Sequence, residues 1–346
     1  MISLILFIFI LGIIVLVHEF GHFLFSKLFG VYVYEFSIGM GKRLWFKKKG
    51  DTEYSIRAVP LGGYVSLAGE EVEDDVKVPK DKKLQDKKVW QRFLIMFAGA
   101  GFNFVLAIVL LFISALIFGS VSTKPIIGTV MEEYPAYEAG LREGDLILEI
   151  NDVKVKSWDA AMWEIQMSGG DTLEFYIEDV NGNNKTVSVT PLEEENEDGT
   201  ITYKYGIGMN TKRDRGLIPS VTYAFNKMGS TFKLMGETII SLFTGEVGVS
   251  ELSGPVGIFT VVDQQKEAGI ENIIYLIAFL SVNVGVINLL PFPAFDGGRI
   301  LFLIIEKIKG SPVSSKVENT IHQIGFYLLL LLTVYVTCND IFRLFK

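Results

Sequence analysis

The run "VLVHEFGHFLF", residues 15–25, places His18, Glu19 and His22 inside an otherwise apolar stretch. Residues four apart on a helix project to one face, so His18 and His22 can offer two imidazole nitrogens to one divalent metal. Glu19 follows the first of them by one position, where its carboxylate reaches a metal-bound water as a general base. The chain holds only three histidines. Ionisable groups inside an apolar span are costly, functional by default, and in need of a partner. A catalytic zinc keeps three protein ligands and one open position. His322, at the edge of the last apolar run and beside a basic loop, is one candidate for the third. Asp296 is the better one. It lies in "NLLPFPAFDGGRI", where Pro291, Pro293, Gly297 and Gly298 interrupt a helical run. Irregular backbone at membrane depth is tolerated where it is buried in protein or lines a wet cavity. His22 and Asp296 also lie at similar depth, roughly 10 Å from the basic end of their runs at about 1.5 Å per residue. Two imidazoles and a carboxylate suit zinc, and iron or cobalt would also accept them.

The elements that must position these groups read as membrane spans. Of 346 residues 49% are hydrophobic, and they cluster in four runs long enough to cross ~30 Å of hydrocarbon. These are 1–30, 93–119, 272–306 and 320–346. The first lacks the basic start and small-residue cleavage site of a signal peptide and is expected to persist as a span. Fourteen Lys and Arg lie from Lys27 to Arg92, and Lys307, Lys309 and Lys316 occupy the loop between the last two runs. Such an excess marks the cytoplasmic side. Residues 31–92 therefore read as a cytoplasmic loop. Alternation places both termini outside, together with the segment from about 120 to 271 that carries "EEENEDG" at 193–199. A net charge of −8 argues against nucleic acid as a partner, and the single Cys338 excludes an internal disulfide framework or a cysteine metal cluster.

In the external segment, short alternating strands such as "LILEI" and "TLEFYIED" are separated by turn residues, with a helical stretch from Trp158 to Met167 between them. The residues "YPAYEAGLREGDLILEIND" resemble a PDZ domain, assigned here to 120–212. The likeness implies a barrel-like α+β fold that binds peptide ends by adding a strand to a sheet edge; a spacer or packing module is the plainer alternative. Beyond it, 217–260 reads as an amphipathic helix and a connecting segment. Tyr223, Phe225, Met228, Phe232, Met235, Ile239 and Phe243 form an apolar stripe, suited either to the membrane surface or to packing on the PDZ-like domain.

"HEFGH" in the first span, the PDZ-like insertion and "NLLPFPAFDGGR" in the third together resemble the site-2 protease family of intramembrane zinc metalloproteases, in its bacterial regulator-of-sigma-E protease branch. The likeness covers nearly the whole chain. It implies that His18, His22 and Asp296 ligate Zn2+, that Glu19 is the catalytic base, and that Asn288 helps hold the substrate or the oxyanion. "SIGMGKRLW" and "VPLGGYVSLAG" resemble the family's membrane-associated β-hairpin, so Gly62, Gly63 and Tyr64 are expected to receive the substrate strand. "LSGPVGIF" at 252–259 matches the segment before the third span. Two departures stand out: Ala100 occupies a position where the family pattern has proline, with Asn103 retained after it, and there is one PDZ-like domain where some relatives carry two.

The expected fold class is thus a polytopic α-helical membrane protein with four transmembrane helices, a membrane-associated β-loop and an inserted extracytoplasmic PDZ domain. The expected function is hydrolysis of single-span membrane proteins or peptides within a bacterial plasma membrane. An anti-sigma factor, a signal-peptide remnant and a pheromone precursor all fit as substrates, and the PDZ domain would bind substrate termini or a trimmed ectodomain. The alternative is a non-catalytic membrane PDZ scaffold with a structural metal. Glu19 argues against it, because a structural site needs no base beside its ligands. A metal transporter would need a second cluster of ligands, and the other spans offer none.

Overall fold

The computed structural model describes residues 2–70, 78–196 and 201–345. The end of the acidic run expected outside, 197–199, and Lys346 at the end of the expected fourth span lie outside the described residues. The chain divides into two compact units. One holds the residues up to Leu110 together with Val247–Phe345, and the other holds Leu111–Glu246.

The first unit is built on α1, Ile2–Leu28, an apolar helix with Lys27 in its last turn. From Val33 the chain forms two long antiparallel strands, β1 (Val33–Lys49) and β2 (Thr52–Leu67). Both bend. Residues 35–38 pair with 63–66 on one side and with 53–56 on the other, while 43–49 pair with 52–57. The spatial order is therefore 43–49, 52–57, 33–38, 63–67, which leaves 63–67 as an edge. This sheet lies along α1. Lys27 Nζ donates to Thr52 Oγ1 at 2.9 Å near one end. Further along, a side chain at Gly12 would meet the Pro60 carbonyl, and one at Gly62 (φ +82°) would meet Val15. Phe20 and Phe23 of α1 pack edge-on or tilted against Phe36 on the same face.

The helix α2, Val89–Phe118, is unbroken, so Ala100 simply continues it where a proline would have removed a backbone donor. It crosses α1 closely. A Cβ on Gly21 would overlap the Ala98 carbonyl, which is the small-residue contact that lets membrane helices approach. After α3 (Pro135–Glu138), α4 (Trp158–Met167) and α5 (Leu217–Thr244) of the second unit, four more helices complete the first: α6 (Pro255–Glu267), α7 (Ile270–Leu289), α8 (Asp296–Lys309) and α9 (Ser315–Leu344). Ile10 and Ile14 of α1 share a buried cluster with Val262, Ile273, Leu276 and Ile277, while Val33, Leu67, Ile95, Met96 and Ile300 form a second. Ile2–Leu28, Val89–Phe118, Ile270–Leu289 and Lys316–Leu344 are the four helices long and apolar enough to span a membrane among the described residues.

The third expected span, 272–306, is two helices. Leu290 leaves the helix in extended backbone, and α8 restarts only at Asp296 after the prolines. Proline lacks the amide that would continue the ladder and disfavours helix in the residue before it. The span proper therefore ends at Leu289, and Asp296 opens a second helix.

In the second unit Leu146–Ile150, Leu173–Glu178 and Asn184–Val189 form a meander flanked by Val153–Lys154. Its inner face buries Ile147, Ile150, Leu173, Phe175 and Ile177 against Trp158 and Ala161 of the helix Trp158–Met167. That helix starts cleanly, with Ser157 Oγ accepting from the Ala160 amide at 3.2 Å. The expected amphipathic helix runs from Leu217 to Thr244. Lys227 and Ser230 on it bond Asp159, so one face packs on the Trp158–Met167 helix, while Phe225, Ile240 and Phe243 stay exposed.

One buried carboxylate secures the far end of α9. Asp340 Oδ2 accepts from the Gly254 amide at 2.9 Å and the Gly257 amide at 2.8 Å, capping α6 from another helix. Helix N-termini leave such amides without partners. Asp340→Ala should therefore cost about 1–3 kcal/mol and lower the melting temperature of the detergent-solubilised protein by several degrees, measured by differential scanning fluorimetry. An unchanged melting temperature would show that this contact does not hold α9.

Candidate active site

His18 and His22 sit one turn apart on α1, both buried, with ring planes at 79°. The break after α7 swings Asp296 to them. Asp296 Oδ2 lies 3.1 Å from His18 Nε2 and 3.2 Å from His22 Nε2, and the two Nε2 atoms are 3.1 Å apart. A tetrahedral zinc with bonds of ~2.0–2.1 Å requires ligand–ligand edges of about 3.3–3.4 Å, so the triangle matches one face of that tetrahedron. Protonation supports the same occupant. The Ile95 carbonyl can only accept, so His22 Nδ1 donates to it at 2.8 Å, and a neutral ring then has Nε2 to ligate with. Asp296 Oδ2 is buried and has no hydrogen-bond partner among the described residues. Three potential ligand atoms thus converge on one point, and a divalent cation is a group that fits them.

Two residues of α2 shape this pocket. Gly99 faces the imidazoles, and a Cβ there would overlap His22 Nε2 and His18 Nε2. Asn103, fully buried, has its amide 3.4 Å from His18 Nδ1, while its Oδ1 lacks a partner. Amide nitrogen and oxygen exchange by rotation of the side chain. With Oδ1 turned to the ring, it accepts the Nδ1 proton, satisfies itself and leaves Nε2 of His18 free to ligate. Ser281 of α7 holds the Asn103 backbone, donating to its carbonyl at 2.9 Å. In the sequence Asn103 is visible only as a retained position. Its role depends on where α2 crosses α1, which no motif spacing encodes.

Glu19 is fixed from the sheet. The Val65 amide donates to Glu19 Oε2 at 3.1 Å, so the 63–67 edge faces the carboxylate beside the histidines. Gly63 lies two residues along that edge, and Gly62 makes the close turn against Val15. The Tyr64 side chain points elsewhere, into a polar group with Glu35, Arg57 and Ser55 that ties three strands together. Burial and the hydrogen bond to Glu35 push the Tyr64 phenol up to about 12, so it stays a donor. Against the effect of burial, bonds from Ser55, Tyr64 and Arg57 hold the Glu35 carboxyl below the usual range. Asn288, in the last turn of α7, donates back to the Val284 carbonyl at 3.0 Å. His322 bonds the Ala294 amide instead of joining the cluster; His18, His22 and Asp296 are the one group of potential metal ligands found among the described residues.

A family model for peptidase family M50 matches residues 6–332. The chain belongs to peptidase family M50. It is 32% identical to the regulator of sigma-W protease RasP of Bacillus subtilis (strain 168), over 99% of each chain. It is 30% identical to the zinc metalloprotease RasP of Oceanobacillus iheyensis, over 100% of each. A protein from Fusobacterium nucleatum is 36% identical over 97% of both chains. The PDZ domain of an SdrC-like protein from Listeria innocua matches at 25% identity and a TM-score of 0.20, covering 27% of this chain and 98% of that one. This M50 chain is a zinc metalloprotease of the site-2 type and a multi-pass membrane protein. The reading as a non-catalytic scaffold falls away.

The M50 pocket should be intolerant at its α2 wall. Gly99→Ala is expected to strip zinc from the purified protein, and Asn103→Leu to weaken zinc retention about 10–100-fold. Both are read by metal analysis after graded chelator treatment. Wild-type retention in both variants would contradict the placement of α2 against the histidines.

Proposed function

We propose that His18, His22 and Asp296 hold the zinc and that Glu19 moves the proton in hydrolysis of a peptide bond at membrane depth. The observation that carries this reading is the convergence of three potential ligand atoms within 3.2 Å of one another, next to a carboxylate that is not one of them. When bound there, zinc lowers the pKa of its water to about 7 and polarises the scissile carbonyl. Glu19 takes the proton from the attacking water and returns it to the leaving amine. The Val65 amide keeps the Glu19 carboxylate aimed while it waits.

A helical substrate must unwind before its carbonyls can be attacked, and the 63–67 edge offers replacement main-chain bonds. Gly62 and Gly63 serve this role by letting the strand lie close against Val15 of α1 and the Ser37 carbonyl of its neighbour. Tyr64 serves it by locking the strand to Glu35 and Arg57. Asn288 spends one amide hydrogen on the Val284 carbonyl and has the second to offer to the substrate or the oxyanion.

The proposed domain layout keeps 1–30, 93–119, 272–289 and 320–345 as the spanning parts, with 31–92 on the basic, cytoplasmic side. Residues 120–212 form an extracytoplasmic PDZ domain, and the exposed Phe225, Ile240 and Phe243 of the following helix rest on the outer membrane surface. Both termini are extracytoplasmic. The substrates are single-span membrane proteins or peptides, with an anti-sigma factor the nearest class given the relative named for sigma-W regulation. The PDZ domain would meet substrate termini or a trimmed ectodomain.

Glu19→Gln tests the chemistry. The variant should retain zinc at the wild-type ratio and lose cleavage of a single-span model substrate by a factor on the order of 10²–10⁴. Cleavage at the wild-type rate would remove Glu19 from the reaction.

A further inference from the structure

The third histidine, left out of the metal cluster, lies against the loop that delivers Asp296. His322 Nδ1 accepts the Ala294 amide at 3.1 Å. Ala294 sits at φ +84°, one of three non-glycine residues with positive φ among those described, and L-residues resist that conformation unless their surroundings fix it. One turn on from His322, Gly325 of α9 takes the Pro293 backbone so closely that a Cβ would overlap its carbonyl oxygen and Cβ. His322 and Gly325 thus grip consecutive residues, Pro293 and Ala294, just before Asp296. The His322 ring also lines a cavity of roughly 740 Å³ with Arg92, Arg299 and Glu318, and its Nε2 is buried without a hydrogen-bond partner among the described residues.

We infer that His322 is a positioning residue for the metal site: by accepting the Ala294 amide, it fixes the left-handed turn that holds the Asp296 carboxylate against the two imidazoles. This rests on the assignment of His18, His22 and Asp296 as ligands. The physical demand is specific. The position needs an acceptor where Nδ1 stands, and the turn needs holding because residue 294 has a Cβ. An asparagine places its Oδ1 close to where histidine has Nδ1, whereas leucine fills space and accepts nothing. A glycine at 294 takes up the left-handed conformation without help.

The test uses full-length protein in detergent, loaded with Zn2+ or with Co2+ and titrated against a chelator. The Co2+ visible spectrum reports coordination geometry independently of cleavage. His322→Leu should weaken metal retention about tenfold and reduce the intensity of the tetrahedral Co2+ bands. His322→Asn should stay within about threefold of wild type, and Ala294→Gly should restore most of the loss when combined with His322→Leu. Asp296→Asn is the control for the underlying assignment. If Asp296→Asn binds metal like wild type, the ligand reading fails. If it loses metal while His322→Leu binds like wild type, the positioning role alone is overturned. It is equally overturned if His322→Asn falls as far as His322→Leu, or if Ala294→Gly rescues nothing. Should His322→Leu not fold, the His322→Asn variant and the His322→Leu/Ala294→Gly double variant decide the matter by the same readouts.

Discussion

Everything in the first unit turns on the meeting of His18, His22 and Asp296. None of these groups is stable alone at membrane depth, where water cannot solvate an ion or complete a hydrogen bond. Each is tolerable because the others lie within 3.2 Å of it, at the spacing a shared cation would bridge. Bringing Asp296 there requires the chain to stop α7 at Leu289 and restart at Asp296. Bringing the histidines there requires α2 to pass close enough that Gly99 can carry no side chain. The proline break and the glycine contact, which look unrelated in sequence, answer the same demand.

The sheet beside α1 gives the centre its second half. A strand edge in lipid is normally a liability because its amides and carbonyls are unpaired. Here one of those amides is spent on Glu19, and the edge faces the carboxylate that would move the proton. The polar group of Glu35, Arg57, Tyr64 and Ser55 crosses three strands and fixes the edge in register. Main chain of the 63–67 edge thereby lies next to Glu19, on an element distinct from the helices that carry His18, His22 and Asp296.

Much of this was legible because polar groups inside apolar runs are so costly that their presence is informative. The histidine pair, Glu19 and Asp296 stood out for that reason, as did the four apolar runs and the strand-rich insertion. What escaped the sequence was set by packing geometry. Asn103 and Gly99 gain meaning only from the crossing of α1 and α2, and the Val65 amide is invisible because every residue has one. The prolines announce the interruption of the third span, 272–306, but where the helix stops and restarts, at Leu289 and Asp296, only the structure gives. The doubled pairing of β1 and β2 follows from bends at glycines that a linear pattern of alternation does not reveal.

The most direct measurement of the central claim is X-ray absorption at the zinc edge of the purified full-length protein. The account predicts one tightly bound zinc per chain, four-coordinate, with scattering from two imidazoles and light oxygen donors at ~2.0–2.2 Å. A zinc with sulfur scattering, fewer than two imidazoles, or no stoichiometric zinc in the active protein would contradict it.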